Sequence, residues 1–287
     1  MRTIAHISDL HFGRDDPSVA AALQADIRSQ APDVLVVSGD LTQRARRREF
    51  RACRAYLDGF PVPRVVVPGN HDIPLYDVVR RFLFPWRRFK RFIHPEATPT
   101  YEDAELSIVG LSTARSSLWA NGRISRWQLA ALRRHWSRAE PTAVRLLVTH
   151  HPFLPTPQRP RTQIVGRAPL ALEALVAAGA DLLLCGHHHV GFTGDLREHH
   201  QVKRSILVAQ AGTALSVRRR GEPNSYNVIR LDGETAEIRV RAWDGARFAS
   251  STQRQYDRTP TGWVRRGAAA PRLQEPFAGG ELPQAAP

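Results

Sequence analysis

Apolar positions in this chain fall into short, nearly unbroken runs, separated by stretches whose spacing changes to one residue in three or four. Residues 3–8, 34–37 and 64–67 are runs of the kind expected of strands covered on both faces. Between them, Val19, Ala22, Leu23, Ala25 and Ile27 predict a helix over 18–30 that Ala31-Pro32 ends, and residues 45–58 predict a basic helix. Strand, helix, strand, helix, strand is the pattern of parallel βαβ units. Residues 74–99 break it, with Pro74, Pro85 and Pro95 around an Arg- and Phe-rich helical stretch, and predict a small helical cap insertion.

Beyond the cap, residues 100–103 and 106–111 predict an antiparallel pair. Residues 125–138 predict a helix with Trp127, Leu129, Leu132 and Trp136 on its core stripe. Strands at 144–148 and 181–184 flank a Pro-rich loop (Pro152, Pro155, Pro157, Pro160) and a helix over 168–178. From 191 to 245 the pattern becomes short alternating strands at 206–209, 226–231 and 236–242. From Arg258 onward Gly, Ala and Pro replace periodicity. The expected organisation is a catalytic domain over 1–250 and a disordered tail over 258–287.

Composition narrows the class. The 287 residues suffice for one enzyme-sized domain. No apolar run is long enough to span a membrane, and Asp9 and His11 arrive before a signal core could fit, so a cytoplasmic location is expected. Cys53 and Cys185 have no CxxC spacing, which excludes a thiolate zinc knuckle and a disulfide framework. The formal charge of +14 points toward polyanions, yet lysine occurs only at Lys90 and Lys203, and an arginine skew beside abundant Ala and Pro is also what a GC-rich genome produces. Clusters are more informative than the total: one spans 44–54, and the other spans 80–91, interleaved with Phe82, Phe84, Trp86 and Phe89.

Five of the apolar runs end in metal-ligand types: Asp9 and His11; Asp40; Asn70, His71 and Asp72; His150 and His151; His187 and His189. Carboxylate, imidazole and amide oxygen without thiolate suit hard to borderline metals. A single catalytic zinc needs three protein ligands, so seven or more donors predict two ions sharing a carboxylate. In an extended segment, Asp-x-His and His-x-His would turn both members of each pair to one cavity. His188 should then point away, and His94, His135, His199 and His200 read as solvated or satisfied histidines.

Asp9-x-His11, Gly39-Asp40, Gly69-Asn70-His71-Asp72, His150-x-Pro152 and Gly186-His187-x-His189, in that order, resemble the five blocks of the calcineurin-like metallophosphoesterases. The openings at 6–11, 39–42 and 150–152 resemble the bacterial branch that contains class III cyclic nucleotide phosphodiesterases. The resemblance implies a four-layer α/β/β/α sandwich and two metal ions, drawn from Mn²⁺, Fe²⁺/Fe³⁺ and Zn²⁺. It implies that Asp9, His11, Asp40 and His189 hold one ion and Asp40, Asn70, His150 and His187 the other. A metal-bridging hydroxide would then be the nucleophile, with His71 facing the phosphate and Asp72 orienting its ring. The implied activity is hydrolysis of a small phosphodiester such as a cyclic nucleotide. Alternatives are a UDP-sugar lipid pyrophosphatase of lipid A synthesis, with its basic cap at a membrane surface, a DNA or RNA nuclease, and a non-catalytic binding module, against which the intact ligand set argues. Oligomeric state is left open.

Overall fold

The computed structural model describes residues 1–267 apart from 97, 157–163, 199, 201 and 203. His199 and the stretch 268–287 of the expected tail therefore lie outside the described residues. The first half alternates as its apolar pattern predicts: β1 (Arg2–Ile7), α1 (Pro17–Ser29), β2 (Val34–Ser38), α2 (Arg47–Asp58) and β3 (Arg64–Val67). The strands are parallel, with Ile4 beside Val34 and Val36 beside Val65. Asp16 caps α1 by accepting from the Ser18 and Val19 amides.

A single 3₁₀ turn at Asn70–Asp72 follows β3, and then come two short helices, α3 (Val78–Leu83) and α4 (Arg87–Phe92). The second half begins with β4 (Thr100–Glu102) and β5 (Leu106–Gly110), which pair antiparallel. It continues through α5 (Arg126–Trp136), β6 (Val144–Val148), α6 (Ala168–Ala177), β7 (Leu182–Cys185), β8 (Phe192–Asp195), β9 (Leu207–Gln210), β10 (Ser225–Leu231), β11 (Thr235–Trp243), β12 (Phe248–Thr259) and β13 (Gly262–Arg265).

These strands form two sheets, ordered β13-β12-β11-β10-β1-β2-β3 and β4-β5-β6-β7-β9-β8. Side-chain alternation divides each buried strand between two cores. Ile4, Val36 and Val67 meet Ile108, Leu146 and Leu184 in a core between the sheets. Ala5, Leu35 and Val66 face the opposite way, toward Leu23 and Phe50 of α1 and α2. Val109, Leu147 and Leu183 do the same toward Leu132 and Leu172 of α5 and α6. The result is the four-layer α/β/β/α sandwich.

Two expectations are corrected. Residues 258–267 are not a tail: β12 continues through Arg258 and Thr259, and β13 returns beside it. Periodicity hid them because β12 buries only Phe248 and Tyr256 among polar residues. Trp127 is not part of a core stripe, since it is 65% exposed while Trp136 is buried.

Candidate metal centre

The C-terminal ends of β1, β2 and β3 in one sheet face those of β6 and β7 in the other. Two hydrogen bonds staple the loops of the first sheet: the Asp9 amide donates to Gly39 O and the His11 amide to Asp40 O. Two more tie the sheets together. His150 Nδ1 donates to Ser38 O at 2.8 Å, and the His187 amide donates to Asp9 Oδ2 at 2.9 Å.

The donor pairs converge, but not through extended backbone. Asp9, His11, Asp40, His187 and His189 have φ of 53°, 47°, 51°, 77° and 62°. Left-handed backbone costs an L-residue with a Cβ roughly 1–2 kcal/mol, so five such positions store strain that the staples must hold. Each residue is turned inward individually, and the alternation expected from Asp-x-His and His-x-His is not the cause. Gly69 has an ordinary φ of −100°. Its requirement is space, because a Cβ there would lie 2.2 Å from Asp40 Oδ1 and 2.4 Å from the Asp40 nitrogen.

Two groups of donor atoms result. Asp9, His11, Asp40 and His189 place one ligand atom each within 4.8 Å of one another. His189 Nδ1 donates to Arg218 O at 2.7 Å, which turns Nε2 toward His11 Nε2 and Asp9 Oδ1, both at 3.2 Å. Asp9 Oδ1 is fully buried and accepts no hydrogen bond. In the second group, His150 Nε2 lies 3.2 Å from Asn70 Oδ1, and 3.3 Å from both His187 Nδ1 and Asp40 Oδ1. Asp40 reaches both groups, since its Oδ2 is 3.6 Å from His11 Nε2.

His150, His151 and His187 also lie close enough to share an ion, but His151 is occupied elsewhere. Its Nε2 donates to Ala120 O at 2.9 Å and its Nδ1 pairs with Thr113 Oγ1 at 2.7 Å. Both nitrogens of this neutral ring are engaged.

The electrostatics favour cations here. Burial lowers His11 to about 4 and His187 to about 3, so both rings are neutral at pH 7 and carry a free lone pair. Burial alone would raise Asp9 and Asp40, but neighbouring imidazoles, chiefly His189 and His150 respectively, hold both well below the usual carboxylate range. Burial would lower His150 as well, yet Asp40, joined by Asp9 and the Ser38 carbonyl, outweighs it and raises this ring to about 9. Positive charge is therefore favoured where Asp40, Asn70, His150 and His187 meet. An orphaned carboxylate oxygen, converging imidazole nitrogens and a carboxylate shared between groups fit two hard or borderline metal ions.

The 3₁₀ turn corrects one expectation. Asp72 does not touch the His71 ring. Its carboxylate accepts from the Gly69, Leu41 and Thr42 amides and the Thr42 hydroxyl, at 2.9–3.1 Å, which locks the turn after β3 to the loop after β2. The His71 ring is held instead by Gln43, whose carbonyl accepts from Nδ1 at 2.9 Å, and by Arg218, whose Nη1 donates to Nε2 at 3.2 Å. Neither residue was a sequence candidate. Gln43 acts through its main chain, which no side-chain pattern reveals, and Arg218 opens an Arg-Arg-Arg run that reads as solvated surface.

The sequence profile of the calcineurin-like phosphoesterases matches residues 2–191, a span that contains all five strand ends. The chain belongs to that family. It is a metal-dependent phosphoesterase of a family built around a binuclear metal centre. Over 207 residues it is 30% identical to the glycerophosphodiester phosphodiesterase GpdQ of Enterobacter lignolyticus, covering 65% of this chain and 70% of that protein. An 81-residue stretch is 30% identical to a probable cyclic nucleotide phosphodiesterase of Synechococcus, covering 25% of this chain and 32% of the other. Among solved structures, a dimetal phosphatase from Danio rerio superposes with a TM-score of 0.61 at 13% identity, over 88% of this phosphoesterase and 98% of that chain. A purple acid phosphatase from yellow lupin gives 0.61 at 11% identity, over 88% and 53%. Both show the shared sandwich fold.

Proposed function

We propose that this phosphoesterase hydrolyses small phosphodiesters at the paired clusters. Asp9, His11, Asp40 and His189 would hold one metal ion, and Asp40, Asn70, His150 and His187 the other. The observation that carries the reading is the Asp40 carboxylate, whose two oxygens face two separate donor groups beside His71 and Arg218. The likeness to GpdQ supports a diester, and the shorter likeness to a cyclic nucleotide phosphodiesterase supports a small one.

A pair of divalent cations, when bound, supplies Lewis acidity toward a phosphoryl oxygen and lowers the pKa of water toward neutrality. The chain's own residues do the rest. Arg218 is half-buried, and its guanidinium hydrogen-bonds to His71 Nε2 and Gln43 Oε1. Its guanidinium is placed to hold a non-bridging phosphoryl oxygen. His71 has committed Nδ1–H to the Gln43 carbonyl, so any proton it exchanges moves at Nε2. A phosphate that draws Arg218 to itself frees Nε2 to take up a proton from solvent water and pass it to the departing oxygen. His151 stays neutral and packs between Thr113 and Ala120, bracing the loop that carries His150.

Purified protein supplied with Mn²⁺ should hydrolyse bis-(p-nitrophenyl) phosphate faster than p-nitrophenyl phosphate. A strong preference for the monoester would overturn the diesterase reading and leave the phosphoesterase assignment standing.

A further inference from the structure

Helix α3 inverts the usual amphipathic arrangement. Val78, Phe82, Val79 and Leu83 fall on one side of the helix by their spacing, and all four are exposed; Tyr76 and Phe84 extend the same apolar surface. The six range from 51% to 75% exposed. On the other side, Arg81 is 1% exposed. Its guanidinium donates to Ser116 O at 2.7 Å, Leu118 O at 2.9 Å and Pro74 O at 3.1 Å, and it stacks over Trp119 at 4.3 Å. A globular protein buries the apolar stripe of a helix and leaves its arginines in water. Here a cation spends three hydrogen bonds holding the apolar stripe outward. Trp119, itself exposed, lies beside this anchor.

Contiguous exposed apolar surface of this kind marks a contact site, and the surrounding charge selects the contact. Residues 74–95 contain six basic side chains and one carboxylate, Asp77, which is already paired with Arg80. Phe84, Pro85, Trp86, Arg87, Lys90 and Arg91 line one shallow depression, so aromatic and cationic groups share a concavity of headgroup character. A second copy docking on the same face would set Arg87, Lys90 and Arg91 against their own counterparts. An anionic lipid surface satisfies both features, because apolar side chains enter the acyl boundary while cations stay at the phosphates.

We propose that residues 74–95, with Trp119, form a docking surface for an anionic lipid bilayer. The face adjoins the metal centre through short connections. Tyr76 packs under Arg44, next to the Gln43 that holds His71, and Trp119 precedes the Ala120 that holds His151. Docking therefore brings the mouth of the site to the membrane surface, whichever phosphoester is cleaved.

The test is cosedimentation of the full chain with vesicles of phosphatidylcholine alone and of phosphatidylcholine mixed with phosphatidylglycerol. Wild-type protein should pellet with the anionic vesicles at low salt and be released at high salt. Combined Val79→Ser, Phe82→Ser and Leu83→Ser should abolish pelleting, while an unchanged circular dichroism spectrum shows that the fold is kept. Combined Arg87→Glu, Lys90→Glu and Arg91→Glu should weaken binding roughly a hundredfold, at about tenfold or less per charge lost. No binding to anionic vesicles, or binding that the serine variant retains, would overturn the proposal. So would a concentration-dependent dimer in light scattering that the serine variant splits, since that outcome assigns the face to a second copy.

Discussion

The strand ends and the segment 74–95 inserted among them both break the ordinary rule for where polar and apolar groups belong, in opposite directions. At the strand ends, carboxylates and imidazoles are turned into the protein, and the chain adopts left-handed backbone at five residues to do it. In α3, apolar groups are turned out, and the backbone is ordinary helix throughout. What holds each arrangement differs accordingly. The strand ends are fixed by many short hydrogen bonds between loops, through Asp72, Ser38 and Gly39, whereas α3 hangs on one side chain, Arg81. The contrast teaches that a site needing fixed distances is braced at every residue, while a contact surface needs only to be presented.

That contrast can be broken most sharply at Gly69. A methyl group there collides with Asp40, the carboxylate both clusters share. Gly69→Ala should therefore reduce metal content, measured by elemental analysis, and lower kcat/KM by more than the roughly 10–100-fold typical of outer metal partners. Intact metal content and activity would show that the loop tolerates displacement. Next in size is the comparison of neighbouring histidines. His150→Ala should lose metal and nearly all activity, while His151→Ala should keep both ions and fall within about 10–100-fold; the reverse order would reassign the ligand.

Arg218→Ala should raise KM for a diester and the inhibition constant of inorganic phosphate by roughly 10–100-fold, the value of a charge-assisted hydrogen bond. Metal content should stay constant, because the Arg218 carbonyl that orients His189 survives the substitution. Arg81→Met should have the smallest effect on chemistry. It strips three carbonyls of their donor, so local stability should fall by about 2 kcal/mol, seen as faster proteolysis within 74–95 with hydrolysis of a small soluble diester little changed. Equal losses of activity and protease resistance would mean that the two regions are one cooperative unit.

Sequence revealed the site far better than it revealed the bracing. Asp9, His11, Asp40, Asn70, His150, His187 and His189 stood out because buried parallel strands announce themselves as apolar runs, and each run stopped at an unusual residue. The roles of Asp72 and Gln43 were hidden because Asp72 accepts from backbone amides of a loop about 30 residues away and Gln43 reaches the His71 ring through its own backbone carbonyl. Arg218 was masked by its basic neighbours, and β12 by an alternation with almost no apolar member. The physical reason for inward-facing pairs was also not readable, since the same dipeptide spacing is compatible with extended and left-handed backbone.

Strand β10 has a consequence for the order of events at the ribosome. It lies beside β1 in the middle of the first sheet, joining residues separated by more than two hundred positions, such as Ile4 and Ile229. The Arg218 carbonyl that aims His189 is made only shortly before β10. A nascent chain that has reached His189 thus carries every donor of both clusters, while the first strand still has one open edge. Pairings this distant are slow to form, so the catalytic machinery should mature only after β10 has been made, a built-in delay before the hydrolase becomes active.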